Sequence, residues 1–452
     1  MTAAFPDGPA DLLVPLAHGV GRSADLPLPL DLVLQAGAAT VVISFLTSAL
    51  LWRRPVLTHP RERHPRPTWR RRPLRLLVMA IALYLTAAAL VGPREHNPAA
   101  HALFVWLWVG LIPVSVLFGP VWRALNPIRT LAELLHIGTR EPAHAPDRAP
   151  ARVPGPAPAT TVLSDPAPPA AQSWVAGAGL LAFVWLELVA PGRADPVVLG
   201  LCVAGYAGIQ LALVARHGAQ WPARGDFLEV YSDLAGRLSP LRWRPPLSGL
   251  TADQPAGAGR AAFLAIWWGS TIFDSASGSP AWAGFAQRSG VPLLWSTAGL
   301  LAVCGIVFAA VRWLPGRLDV TNSLIPIAVG YTLAHYLTLL LVEGPRGALL
   351  LVQQWGLADG ATWDVVPDPH VISVLQVTLI LGGHVLGVLA AHDMALAGNP
   401  GRPPSRSVST PGPRLAPAPP STQTLAVLAE ELPVVLFMIL CTWAGLFLLF
   451  VR

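Results

Sequence analysis

Apolar runs of about 20 residues with almost no charge recur along the chain, and they leave few folds open. A helix rising 1.5 Å per residue needs about 20 such residues to cross the hydrocarbon of a bilayer. Nine stretches meet the test well or nearly so: 31–52, 75–92, 101–121, 173–191, 196–215, 291–313, 321–342, 371–391 and 431–451. A tenth, 261–280, begins AAFLAIWWGSTIF and turns polar at Asp274, so it reads as either a short span or a re-entrant segment. Charged residues make up only 12% of the chain, roughly half the share of a soluble domain and too few to cover a water-facing surface. The predicted fold class is all-α, a polytopic integral membrane bundle of about ten transmembrane helices with the lipid bilayer as its main partner.

Arginine sets the expected orientation. Lysine is absent, so all 31 basic residues are arginine, and the net charge is +6. They lie in loops between apolar spans, which argues for membrane topology and against nucleic-acid binding. The densest run, from Arg53 to Arg75, follows the first span and belongs in the cytoplasm. The N-terminus is then extracytoplasmic, in a plasma-membrane protein. Counting onward puts the arginine-bearing loops 122–172, 216–260, 314–320 and 392–430 inside as well. The domain reading follows: an outer segment 1–30, a first bundle part 31–140 with three spans, a Pro/Ala-rich tether 141–172, a second bundle part 173–397 with spans four to nine, a Pro/Ser-rich tether 398–424, and a last helix in 425–452. Both tethers have too few bulky apolar groups to offset the entropy of ordering.

Ahead of the first span, Leu16-Ala17 precedes His18. Cleavage there would give His18 a free amine beside its imidazole, a copper-binding pair; uncleaved, the segment is an outer tail. Asp31 reads as the N-cap of the first span, and Asn126 followed by Pro127 as a helix start.

Ionisable groups at membrane depth are costly unless they face a partner or a water-filled cavity, so each is a candidate functional residue. His335 sits near the middle of IPIAVGYTLAHYLTLLLVEG, and His384 near the middle of VISVLQVTLILGGHVLGVLAAHD. These spans are consecutive and antiparallel, so the two imidazoles are expected to meet near the midplane. Gly383 and Gly387 form a GxxxG pair that admits a close backbone or a flat cofactor. His392 lies about 12 Å further along that helix and about 80° round it, beside Asp393 at the inner edge. Two readings stand for the histidines: ligands His335, His384 and His392 of a divalent metal (Zn or Cu) or a b-type haem, or hydrogen bonds that aid packing. Asp274 reads as a ligand, as an acid/base residue facing outward, or as a turn residue. Glu187 in FVWLELVA has Arg193 as its expected partner, and Glu343 marks the outer end of its span.

No GxxxxGK[ST], GxSxG or HExxH motif is present, so ATP-driven transport, serine hydrolysis and zincin chemistry lack their usual marks. Cys202, Cys304 and Cys441 each stand alone in apolar segments, as small buried hydrophobes do.

The stretches AHGVGRSADLPLPLDL, YTLAHYLTLLL and GGHVLGVLAAHD, with FDSASGSP and LNPIRTL between them, resemble a family of multi-pass membrane proteins common in actinobacteria and often labelled fenitrothion hydrolase. That resemblance implies hydrolysis of an organophosphate triester, with a metal-bound water attacking phosphorus and His335 and His384, with Asp274, as ligands. Beside it stand two readings of other classes: a redox protein holding haem or copper between His335 and His384, and a transporter of an ion or small solute using His335, His384 and Glu187.

Overall fold

A computed structural model of the chain describes residues 29–52, 55–57, 61–62, 72–138, 170–252, 256–314, 319–397 and 420–450. His18, most of the tether 141–172 and residues 398–419 lie outside the described residues.

The described chain is a helical bundle. Its main elements are α1 (Leu30–Leu51), α2 (Arg72–Val91), α3 (His101–Phe118, its first ten residues π-helical), α4 (Pro127–Leu134), α5 (Ala170–Leu188), α6 (Pro196–His217), α7 (Phe227–Gly236), α8 (Gly257–Ser277), α9 (Pro280–Arg288), α10 (Pro292–Trp313), α11 (Leu324–His335), α12 (Leu337–Gln353), α13 (Pro369–Ala397) and α14 (Pro420–Phe450). The strand content is a two-residue antiparallel contact, β1 (Arg61–Glu62) with β2 (Trp243–Arg244). Six helices are long and apolar enough to cross a membrane, or seven if α11 and α12, bent by 63°, form one broken span. This is the membrane helix bundle expected from the sequence, at a coarser level than a count of ten.

Apolar side chains fill the core and also cover the outside of the bundle. Leu76, Leu77, Ile81 and Leu83 of α2, and Leu294, Leu301 and Ile306 of α10, point outward from the bundle. Hydrocarbon solvates such a girdle, whereas water does not. Helix α8, too polar to count among the six, lies inside the bundle, packed against α5, α10, α11 and α14. Fourteen of its residues are buried, among them Ser270, Thr271, Asp274 and Ser275. Its polar character follows from that position, since a helix enclosed by other helices meets no lipid and can carry groups that bond to its neighbours. Most of the segment 261–280 is therefore one continuous helix, which ends at Ser277 with Asp274 in its last turn.

Local signals were read with mixed success. Asn126 caps α4 as expected, accepting from the Ile128 and Arg129 amides with Pro127 behind it. Asp31 does not cap α1: the helix starts one residue earlier, with Pro29 at the cap position and Asp31 in the first turn, where a carboxylate favours the helix dipole. The last helix begins at Pro420, inside the stretch 398–424 assigned to a tether.

Helices α11 and α13 interlock through small residues. A side chain at Gly330 would collide with the Leu379 carbonyl, and a Cβ at Gly383 would lie 2.5 Å from the Pro326 carbonyl oxygen. The facing side of Gly382 is open. Gly383→Val should therefore lower stability by about 1–3 kcal/mol through overpacking, read as a lower melting temperature in detergent. Gly382→Val, with the same change in helix propensity, should be close to neutral.

Candidate functional site

Consecutive helices run antiparallel, so three short connections gather at one end of the bundle: 92–100, 189–195 and 278–291. A cavity of about 520 Å³ opens among them. Its polar wall is built from the last turn of α8 and from the break between α11 and α12. Asp274 ends the buried stripe of α8. Its Oδ2 lies 2.7 Å from His335 Nε2 and accepts from the Tyr336 hydroxyl at 3.0 Å. His335 Nδ1 lies 3.1 Å from Ser275 Oγ, which lies 3.1 Å from the Tyr331 hydroxyl. All five side chains are buried, and His335 has no exposed surface. Asp274 and Tyr336 also line the cavity. A continuous hydrogen-bonded row thus leads from the cavity wall at Asp274 through His335 and Ser275 to Tyr331.

The spacing explains how so few elements supply this row. Tyr331 and His335 are one helical turn apart on α11 and share a face. Asp274 and Ser275 are neighbours on α8, and both reach that face. The break at Tyr336 is not at a proline. The His335 and Tyr336 side chains on either side of it are both tied to Asp274, a side-chain cause for a kink.

The opposite wall carries a second set. His101, the first residue of the π-helical stretch, sets Nε2 3.0 Å from Glu343 Oε2, and Arg346 donates to the other oxygen of Glu343. Gly347 leaves room for the ring, since a Cβ there would overlap the His101 side chain. Glu187, at the end of α5, completes the acidic lining. Its Oε2 is buried without a hydrogen-bond partner, and so is His101 Nδ1. The expected partner Arg193 lines the same cavity but donates to the Leu188 carbonyl at 3.0 Å. Phe104, Val105, Leu188, Phe273, Trp282 and Leu339 supply apolar surface.

His335 and His384 do not meet. Along the antiparallel pair Gly330 faces Leu379, Pro326 faces Gly383, Ser323 faces Gly387, and Gln376 donates to the Ala334 carbonyl. In that register His335 lies level with residue 375, so the two histidines are offset by roughly nine residues, about 13 Å along the axis. The rings also point elsewhere: His335 faces α8, while His384 Nδ1 bonds the Ile380 carbonyl of its own helix at 2.8 Å. A metal or haem shared between them does not fit this geometry. Among the described residues no group of three or more His, Cys, Asp or Glu side chains is placed to hold a metal ion. His392 serves a different structure. Its Nε2 lies 3.0 Å from the Trp52 carbonyl, and Asp393 accepts from the Trp52 indole and the Val56 and Leu57 amides. Together they fasten the chain after α1 to the end of α13.

The sequence pointed to Asp274, His335 and Glu187, gave Glu343 only as the end of its span, and missed His101, Ser275, Tyr331, Tyr336 and Arg346. His101 carried a usable signal, an ionisable residue at the start of an apolar span. The others carry no signal until the neighbouring helix is in place.

A second polar cluster joins α4, α6 and α7. Glu229 takes two 2.7 Å bonds from the Arg129 guanidinium, and Asp226 accepts from Tyr206, Asn126 and Trp122. Its carboxylates are well supplied with donors, as in a packing hub, whereas Glu187 retains a buried oxygen without one. Opposite stability effects are expected from the same change. Glu229→Gln should cost about 1–3 kcal/mol by weakening the bonds between a buried carboxylate and a partly exposed guanidinium. Glu187→Gln should leave the melting temperature unchanged or raise it, since a cavity carboxylate kept for function is a stability cost. Compared with known protein families, characterised proteins and solved structures, the chain shows no significant match to any.

Proposed function

We propose that the protein is a ten-span carrier of the plasma membrane that opens a solute cavity to the extracytoplasmic side and passes protons from Asp274 inward. The observation that carries this reading is the unbroken row Asp274–His335–Ser275–Tyr331 starting on the cavity wall. A proton entering from the cavity binds the Asp274 carboxylate. The imidazole takes it at Nε2 and releases one from Nδ1, and the Ser275 and Tyr331 hydroxyls each accept on a lone pair while donating their own O–H proton. Neutral and charged forms alternate along one path, so no isolated charge is left in the low-dielectric interior.

Three further features support a carrier. The broken span α11–α12 places its 63° bend at the site, the arrangement by which many carriers build a midplane site and hinge around it. The scarcity of arginine in the connections around the cavity supports an extracytoplasmic opening. Adding the bent pair, the two shorter apolar stretches Trp174–Leu188 and Val435–Phe450, and the buried α8 to the six long apolar helices gives ten.

A second reading follows from the resemblance to the family labelled fenitrothion hydrolase, and the Asp274–His335 pair favours it. Asp274 would take a proton from water, the resulting hydroxide would attack the phosphorus of an organophosphate triester, and the aryloxide would leave. This ranks second because the phosphoryl oxygen gains charge in the transition state and needs donors aimed at it. The cavity is lined by carboxylates, and Arg193 is its one lining guanidinium.

A pH jump applied to proteoliposomes adsorbed on a sensor should give a charge-displacement current. Asp274→Asn and His335→Phe should each remove it, while Asp393→Asn should keep it. Wild-type protein without a current, or an undiminished current in Asp274→Asn, would remove the relay. Release of 4-nitrophenol from a dialkyl 4-nitrophenyl phosphate by the same preparation, lost in Asp274→Asn, would move the hydrolase reading to first place.

A further inference from the structure

The cavity's unmet hydrogen-bonding capacity identifies the chemistry of its occupant. Of its three carboxylates, Glu343 is matched by Arg346 and His101, and Asp274 by His335 and Tyr336. Glu187 differs, because its Oε2 is buried inside the lining with no donor. A carboxylate oxygen in that state is costly until a donor arrives, and a cationic N–H stabilises it most. A second, independent vacancy lies on the same cavity. His101 is only 4% exposed, and its Nδ1 is without a partner. Its role follows the proton: in the neutral tautomer whose Nε2–H donates to Glu343, Nδ1 accepts, and in the imidazolium it donates. The buried Glu187 oxygen therefore waits for a donor, while Arg193, the one guanidinium of the lining, gives one N–H to the Leu188 carbonyl.

The walls between these groups are apolar and partly aromatic. Phe273 of α8 and Trp282 of α9 meet edge to face, with centroids 5.9 Å apart and planes at 89°. Gly299 of α10 fits beneath both rings, where a Cβ would lie 2.6 Å from the indole. Such a fixed aromatic pair accommodates a flat apolar body and attracts a neighbouring cation through its ring faces.

We propose that the cavity binds a small organic cation, with a protonated amine donating to Glu187 and an aromatic or apolar body lying against Phe273 and Trp282. The identity of the solute rests on the carrier reading, but the binding itself is measured separately from proton movement. Titration calorimetry on the full chain in lipid nanodiscs tests it with four probes of one size class: 2-phenylethylamine, neutral 2-phenylethanol, anionic phenylacetate, and methylammonium as a head without a body. The amine should bind, and the alcohol, the anion and methylammonium should each bind about tenfold more weakly or less. Glu187→Gln should weaken the amine by about thirtyfold or more. Trp282→Ala should lower its affinity towards that of methylammonium. Equal binding of the alcohol, tighter binding of phenylacetate, or unchanged amine affinity in Glu187→Gln would overturn the proposal. Failure of the amine to bind while the pH-jump current persists would discard the solute class and leave the relay standing. Loss of the current with the amine still bound would do the reverse.

Discussion

The contact between Asp274 and His335, 2.7 Å long and withdrawn from solvent, sets the terms for the structure around it. Two ionisable groups can sit at this depth only if they face each other, are shielded from lipid, and have their remaining bonding capacity met nearby. Each condition is visible in a different element. Helix α8 is enclosed by helices and so can carry Asp274. The break after His335 lets Tyr336 turn back to the same carboxylate. Ser275 and Tyr331 take up the far side of the imidazole. Removing α8 from its central position would expose a stripe of serine, threonine and aspartate to hydrocarbon, so the site and the packing of the bundle depend on one another.

Two sets of buried polar groups in the bundle contrast. Around Asp226, Glu229 and Arg129, and around Asp393 and Trp52, donors and acceptors are matched, and the clusters tie distant segments together. Around the cavity the matching is incomplete: Glu187 and His101 each keep a buried polar atom without a partner. Folding tolerates few such atoms, because each forfeits its hydration without compensation. Their presence on the lining of a cavity with an aromatic pair on one side is what separates a binding site from a structural hub.

Glycine placement links that site to the rest of the bundle. Gly330, Gly383 and Gly387 bring α11 and α13 into backbone contact, and that contact fixes the depth of His335. Gly347 and Gly299 do the same for His101 and for the aromatic pair. Where hydrophobic burial offers little drive between helices, close backbone approach is a principal source of cohesion.

The sequence by itself determined that the chain is a helical membrane bundle, because hydrocarbon requires long apolar runs whose backbone bonds close internally. It also singled out Asp274, His335 and Glu187, since ionisable residues are conspicuous among leucines and valines. It could not decide which of them meet. The equal mid-span depth of His335 and His384 suggested a shared site. The glycine register of α11 on α13 instead sets them about 13 Å apart along the axis and turns His335 toward α8. That register depends on which faces interlock, and a single span's hydropathy carries no information about its neighbour's face. The polar turn at Asp274 likewise read as the end of a doubtful span, because composition cannot tell a helix surrounded by protein from a segment leaving the membrane. Only the tertiary structure, by placing α8 inside the bundle, made its polar stripe a site.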